Sequence, residues 1–511
     1  MARIMQKFCI FALLNSNFVM NRRGSARYNR DQAATITLIN NKYKRMKKTI
    51  ILSAFVALAA TTAVAQTDIN PAVLQKIQAS HTETVADKAI RRALSQNSVA
   101  SLTANTNTLS EIGTDFSDVV PTRGITNQLS SGRCWLFTGL NVLRSKAIMR
   151  WGLPSLELSQ NYLFFFDQLE KANLFLQGVI DTRKASFDDR MVDWLFANPL
   201  SDGGTFCGVA DLVQKYGVVP NTVFPETYQS NNTSGFTSVM KSKMREMGLE
   251  LRAMGENKKT TEKQLQEKKV EMLGTIYHML TLAYGVPPTQ FTWTQRDARG
   301  NAVSTESYTP QSFYQKYWDG EDLYGNYIMV MNDPLREYYK VYQIEYDRHT
   351  YDGHDWVYLN LPVDDIKPMA IASIKDSTAM YFSCDVGKFS DRKSGTLDLN
   401  NFDYESIFGI KLTMDKKQRV QTHASGSSHA MTMIAVDIDP ATGATKKWMV
   451  ENSWGPTSGY QGKMIMTDEW FDNYMFRLVI NKKYVGQKYL DMLNQKPIML
   501  PAWDPMFLEE E

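Results

Sequence analysis

The spacing of hydrophobic positions changes along the chain, and the change sorts it into a helical part and a strand-rich part. Leu136, Leu140, Leu143 and Ala147 recur at i, i+4, i+7 and i+11, which predicts a helix with one buried stripe. It follows directly on the turn-rich run Thr126-Asn127-Gln128-Leu129-Ser130-Ser131-Gly132-Arg133, so Cys134 falls in its first turn. Upstream, Ala89, Ile90, Ala93 and Leu94 at helical spacing predict a helical lead-in. Two longer stripes, Met244, Met247, Leu251, Met254 and then Leu265, Met272, Ile276, Met279, are broken by Gly255-Glu256-Asn257 and predict an αα-hairpin. After residue 325 the runs shorten and alternate, as in Gln343-Ile344-Glu345-Tyr346, Met431 to Val436 and Trp448-Met449-Val450. Helices followed by strands, with no regular βα alternation, predict an α+β chain.

Length and composition bound this picture. At 511 residues and 43% hydrophobic, the chain exceeds what one core usually spans and is no disordered or collagen-like polymer. The formal charge of +3 is unevenly placed: residues 1–65 hold 11 basic side chains and one acidic, leaving 46 basic against 53 acidic, or −7, in the rest. From Met46 the sequence reads as a secretory signal, with Lys47 and Lys48 ahead of an apolar run from Ile50 to Ala60 and a small-residue cleavage pattern Ala63-Val64-Ala65. Cleavage after Ala65 would leave Gln66 first and an exported, periplasmic protein with no membrane attachment; if the signal reading fails, the protein is cytoplasmic. Residues 1–45, basic and aperiodic, read as an over-extended start outside the fold. The expected organisation is then a signal peptide at 46–65, a helical lead-in at 66–120, a helical catalytic domain at 121–235, a helical hairpin insertion at 236–300, a β-rich domain at 301–495 and a tail at 496–511.

Candidate chemistry begins with the cysteines. Without the leader, Cys134, Cys207 and Cys384 remain, an odd number with no CxxC spacing, which argues against a disulfide framework or a structural zinc site. Cys134 is the one in a reactive setting, because a helix N-terminus favours thiolate by about 0.3–1 kcal/mol, up to ~2 when partly buried. At about 1.4 kcal/mol per pKa unit that brings a thiol near 8.5 only to roughly 7, so full ionisation needs a cation beside it. Of six histidines, His429 enters a β-like run that would hold its ring, and Asn452 follows 23 residues later, within a hairpin's reach across the turn Asp439-Pro440-Ala441-Thr442-Gly443. Asn452 would supply the acceptor that orients the ring. The pair Gly203-Gly204 marks a tight turn or a close backbone approach. His423 and His429 lack a third ligand or an HExxH pattern, so no metal and no cofactor is expected.

These segments carry a resemblance. Asn127-Gln128 through Ser131-Gly132-Arg133-Cys134-Trp135, Ser428-His429-Ala430-Met431-Thr432 and Val450-Glu451-Asn452-Ser453-Trp454-Gly455 resemble the papain-like cysteine peptidases, and among them the bleomycin hydrolase and bacterial aminopeptidase C branch. Ser159-Gln160-Asn161-Tyr162, Asp202-Gly203-Gly204, Cys384-Asp385-Val386-Gly387-Lys388 and Pro501-Ala502-Trp503-Asp504-Pro505-Met506 extend the similarity over roughly residues 70–511. The resemblance implies a papain-like fold, a helical domain against a β-barrel-like one, with a helical hook and a homohexameric ring. It implies Cys134 as nucleophile, His429 as base and then acid, Asn452 fixing the imidazole tautomer, and Gln128 donating to the oxyanion. Gly203, Gly204 and the main chain of Ser428 would pair with an extended peptide substrate. The activity implied is removal of amino-terminal residues from peptides, with the C-terminal segment in the cleft. An endopeptidase with an open cleft and a nucleic-acid-binding ring are the alternatives; the charge of −7 argues against the second.

Overall fold

The computed structural model describes residues 68–504 and 506, so the signal sequence, residues 1–45 and the tail 507–511 lie outside the described residues. The chain divides after Arg92 into two compact units. The described part of the first carries helix Pro71–Ser80, whose start is capped by the Asn70 side chain, and most of helix Val85–Leu94, which has no buried residue.

The second unit, Ala93–Glu511, combines a helical layer with a large mixed sheet, the α+β architecture that the change of period predicts. The helix Cys134–Trp151 is buried on nearly every side, not only along the Leu136–Ala147 stripe, and it packs on strand His429–Ile438. Gln160–Asp181 and Phe206–Tyr216 pack beside it, and Thr233–Glu256 and Glu262–Tyr284 form a helical hairpin against Gln160–Asp181. The Met244, Met247, Leu251 and Leu265, Met272, Ile276 stripes face inward in that hairpin. It is followed by a two-stranded ribbon, Phe291–Arg296 with Ala302–Tyr308.

Among the described residues the main sheet has twelve strands. At its centre Met475–Asn481, Met380–Cys384, His429–Ile438 and Thr445–Glu451 lie side by side, each antiparallel to the next. The hairpin between the last two closes through Asp439, whose carboxylate accepts from the backbone of Ala441 and Thr442 at 2.9 and 3.0 Å. Gly443, at φ +73°, supplies the left-handed step the turn needs. From His429 to Val436 every residue is buried, so this strand does not alternate between core and solvent. It is covered by helix Cys134–Trp151 and by Val363–Lys375, and a strand covered on both faces loses its polar period.

Candidate active site

Cys134 opens its helix, as the spacing predicts, and its side chain is fully buried. The backbone N–H of Ala430 points at its sulfur from 3.5 Å, which sets the thiol against the residue following His429. The first N–H groups of any helix lack intrahelical acceptors, so the Cys134 thiol sits where an anion is favoured. Cys207 differs. Burial, and then the neighbouring Asp347 charge, push the Cys207 thiol well up, away from thiolate.

His429 is 3% exposed, at the start of its strand, and Nε2 lies 2.8 Å from Oδ1 of Asn452. The same Oδ1 accepts the backbone N–H of Ser453 at 2.8 Å, which fixes the amide orientation. Nε2 therefore carries the proton, and Nδ1 is the nitrogen suited to receive one from a thiol. The Trp454 ring lies 4.8 Å from the imidazole and covers it, keeping water from the His429–Asn452 bond.

Gln128 is buried on the loop before Cys134. Its Oε1 accepts the Ser453 hydroxyl at 2.6 Å, its Nε2 donates to the Ser131 carbonyl at 2.7 Å, and its backbone N–H donates to the Ser453 carbonyl at 2.8 Å. One amide hydrogen is thus committed within the loop, and the second can serve a ligand. Ser453, which sequence spacing does not single out, fixes both Gln128 and Asn452. Arg133, fully buried beside Cys134, pairs with Glu226 at 2.9 Å and donates to the Ser131 hydroxyl at 3.0 Å.

A buried ion pair joins the two walls. Arg144, on helix Cys134–Trp151, binds Glu451, the residue before Asn452. Burial raises the Glu451 carboxyl, and Arg144 opposes that shift. Removing one member strands a buried charge, so Arg144→Ala is expected to cost about 3–5 kcal/mol of stability, read by denaturant unfolding. A cost under 1 kcal/mol would show that the pair does not hold the walls together.

Gly203 and Gly204 do not adopt positive φ, so the turn reading gives way to close approach. A Cβ on Gly204 would lie 2.3 Å from the His349 ring and 2.8 Å from Trp135. His349 is 1% exposed and its Nδ1 is 2.5 Å from Asp167, which also pairs with Lys171 at 3.2 Å. Lys171 in turn donates to the Gly203 carbonyl at 2.5 Å, while Trp135 Nε1 donates to the Asp202 carbonyl at 2.8 Å. The glycine segment is therefore pinned by Lys171 and by Trp135, the residue after Cys134. Gly204→Ala is expected to cost about 1–3 kcal/mol through overpacking and to lower kcat/KM at least tenfold; unchanged kinetics would contradict the assignment of this segment to the cleft.

Ser428 is exposed, and with Ser427, Ser201, Leu200 and Trp194 it lines a cavity of about 510 Å³ that Ala502 also borders. The C-terminal segment reaches this region by two anchors. Ile498–Leu500 pairs in parallel with Lys340–Ile344, and Arg477 donates to the Met506 carbonyl at 3.2 Å. Arg477 is opposite Ser383, and Ser383 is opposite Ala430, so the last described residue is held two strands from the start of strand His429–Ile438.

Set beside known proteins, residues 68–507 match the model of the Peptidase C1-like family. The chain belongs to that family. It is 40% identical to human bleomycin hydrolase over 399 residues, 76% of this chain and 88% of that protein. It is 37% identical to aminopeptidase C of Lactobacillus delbrueckii subsp. lactis over 423 residues, 81% of this chain and 92% of that one. The crystal structure of PepW from Lactobacillus rhamnosis superposes with a TM-score of 0.83 at 33% identity, covering 87% of this chain and all of that one. This Peptidase C1-like chain is a cysteine-type peptidase of the bleomycin hydrolase and aminopeptidase C kind, with the papain-like fold its catalytic segments resemble.

Proposed function

We propose that the protein is an exported cysteine aminopeptidase that removes amino-terminal residues from peptides through a Cys134–His429–Asn452 triad. The observation that carries the reading is the 2.8 Å His429–Asn452 bond beside a thiol that opens a helix and lies 3.5 Å from the Ala430 N–H. Nδ1 of His429 takes the Cys134 proton and the thiolate attacks the first carbonyl carbon of the peptide. The oxyanion is met by the Cys134 backbone N–H and the second Nε2 hydrogen of Gln128; such a donor is typically worth about 2.7–4 kcal/mol. His429 then protonates the departing amine, leaving a thioester that water, deprotonated by His429, hydrolyses. Gly203, Gly204 and the Ser428 main chain line the strand-like path of the substrate. No cofactor enters any step.

Restriction to free amino termini is supported by the C-terminal segment, which borders the cavity beside Ser428 through Ala502. The run Phe507-Leu508-Glu509-Glu510-Glu511 that follows crowds three carboxylates, which repel one another and are costly to desolvate, so the full run is a poor anchor; it either swings into solvent or is trimmed by Cys134 to a shorter anionic end that meets the substrate ammonium. The test compares one peptide amide with a free and with an acetylated amino terminus: the expected ratio of kcat/KM is above about 100, and a ratio near one makes the enzyme an endopeptidase instead. Deleting residues 507–511 should reduce that ratio, and an unchanged ratio would remove the tail from specificity. A homohexameric ring, implied by the family resemblance, belongs to the same proposal and is read by solution mass. For export, the intact mass of protein from the source organism should begin at Gln66; a species retaining residues 1–45 would return it to the cytoplasm.

A further inference from the structure

The Trp454 indole that lies 4.8 Å from the His429 ring also carries a cation, because the Arg392 guanidinium carbon is 4.6 Å from its centre. Arg392 therefore stands one indole away from His429. Trp454 also forms a backbone bridge with Asn127, the residue before Gln128, so the indole adjoins both groups that would meet the reacting carbon. The acyl half of a bound peptide runs along Gly203–Gly204 and Ser428, and the amine half leaves on the His429 side, past Trp454. Backbone contacts set the position of Arg392. Ser390–Asp391 pairs with Thr396–Leu397, Thr396–Leu397 pairs with Lys463–Thr467 of the main sheet, and the Gly459 N–H donates to the Arg392 carbonyl at 3.2 Å.

We propose that Arg392 binds a carboxylate on the residue after the cut bond, and that the enzyme prefers peptides carrying one there, as the free end of a dipeptide or as an acidic side chain. The proposal rests on the reading in which His429 protonates the departing amine. Arg392 is exposed, and among the described residues no carboxylate pairs with it. The adjacent Asp391 is engaged elsewhere: Oδ1 accepts the Lys393 N–H at 3.0 Å and Oδ2 accepts the Ser394 hydroxyl at 2.6 Å. A guanidinium lying over an aromatic face keeps its N–H groups in its own plane, and a fork of two of them grips a carboxylate through parallel bonds. An extended chain advances about 3.4 Å per residue, so a carboxylate on the residue next to the cut bond lies within one indole's span of His429. Lys393 is exposed on the same loop, but Arg392 is the cation over Trp454.

The test uses the full protein and two substrate pairs that share their first residue: Leu-Ala against Leu-Ala amide, and Leu-Glu amide against Leu-Gln amide. The expected kcat/KM favours the charged member at least about fivefold in one pair or both, and the pair that responds identifies the source of the carboxylate. In Arg392→Gln each such ratio should fall within about twofold of one; both members are read on one variant, so a general loss of turnover does not disturb the ratio. Lys393→Gln should keep the parental ratio. Ratios near one in both parental pairs, a preference that survives Arg392→Gln, or one lost only in Lys393→Gln would each overturn the proposal. Should Arg392→Gln not fold, salt decides. Raising it from about 0.05 to 0.5 M should at least halve the parental ratio, as an exposed ion pair requires, and an unchanged ratio overturns the proposal. Acetylated versions of both pairs separate the two readings: equal cleavage of free and acetylated peptides defeats the aminopeptidase reading, while the ratio within the acetylated pairs still judges Arg392.

Discussion

Cys134→Ala is expected to lower kcat/KM on any peptide amide by at least about 10⁴-fold, because removing a nucleophile from a coupled triad costs nearly as much as removing the triad. Its fold should persist. The change deletes one sulfur at a helix start, and the helix is held independently by Arg144–Glu451 and by a stripe of buried leucines. Activity within tenfold of the parent, measured on protein with an unchanged unfolding transition, would mean that another group attacks the substrate. Cys207→Ala is the internal comparison, since that thiol lies against Thr205 and the Asp347 carbonyl and not at the His429–Asn452 bond, and it should keep its activity within about threefold.

His429→Ala is expected to be nearly as severe, about 10³–10⁴-fold or more, since the thiol loses its proton acceptor and the leaving amine loses its donor. Asn452→Ala should be milder, about 10–10³-fold. The base survives there, but its Nε2 loses the acceptor at 2.8 Å and the ring can turn under Trp454. The order of the two rates is the informative quantity: a larger loss in Asn452→Ala would show the roles to be misassigned. The ordering also separates orientation from stability, provided both variants are compared at temperatures well below their unfolding transitions.

What was legible in the sequence follows from distance along the chain. Helix 134–151 and the hairpin from His429 to Asn452 are local, so their stripes and turn residues announce them. The Cys134, His429 and Asn452 segments are each weak alone, and it is their order along the chain together with the further similar runs that makes them recognisable. The Met stripes likewise forecast the long helical hairpin, whose partners are adjacent in sequence. Pairings that span hundreds of residues left no such trace. Glu451 reads as one more polar residue on a strand until Arg144, 307 positions earlier, is found against it. Ser453 gives no hint that its hydroxyl orients Gln128 across 325 positions. His349, in a loop of ordinary composition, meets Asp167 at a separation of 182 and fills the space that Gly204 leaves. The adjacent glycines suggested a turn or a close approach; packing against that ring, a tertiary fact, decides for the second. Alternation in the catalytic strand failed as a guide for a related reason, because a helix covers each face.

The central claim is that a peptide's acyl group passes through the sulfur of Cys134, and the most direct measurement is to trap it. The full protein is mixed with an aminoacyl p-nitrophenyl ester, quenched in acid within the burst of nitrophenol release, digested and mapped by mass. The expected result is one aminoacyl group on the peptide containing Cys134, removed by neutral hydroxylamine and absent from Cys134→Ala. An acyl group on Cys207, on Cys384 or on no residue while turnover proceeds would contradict it.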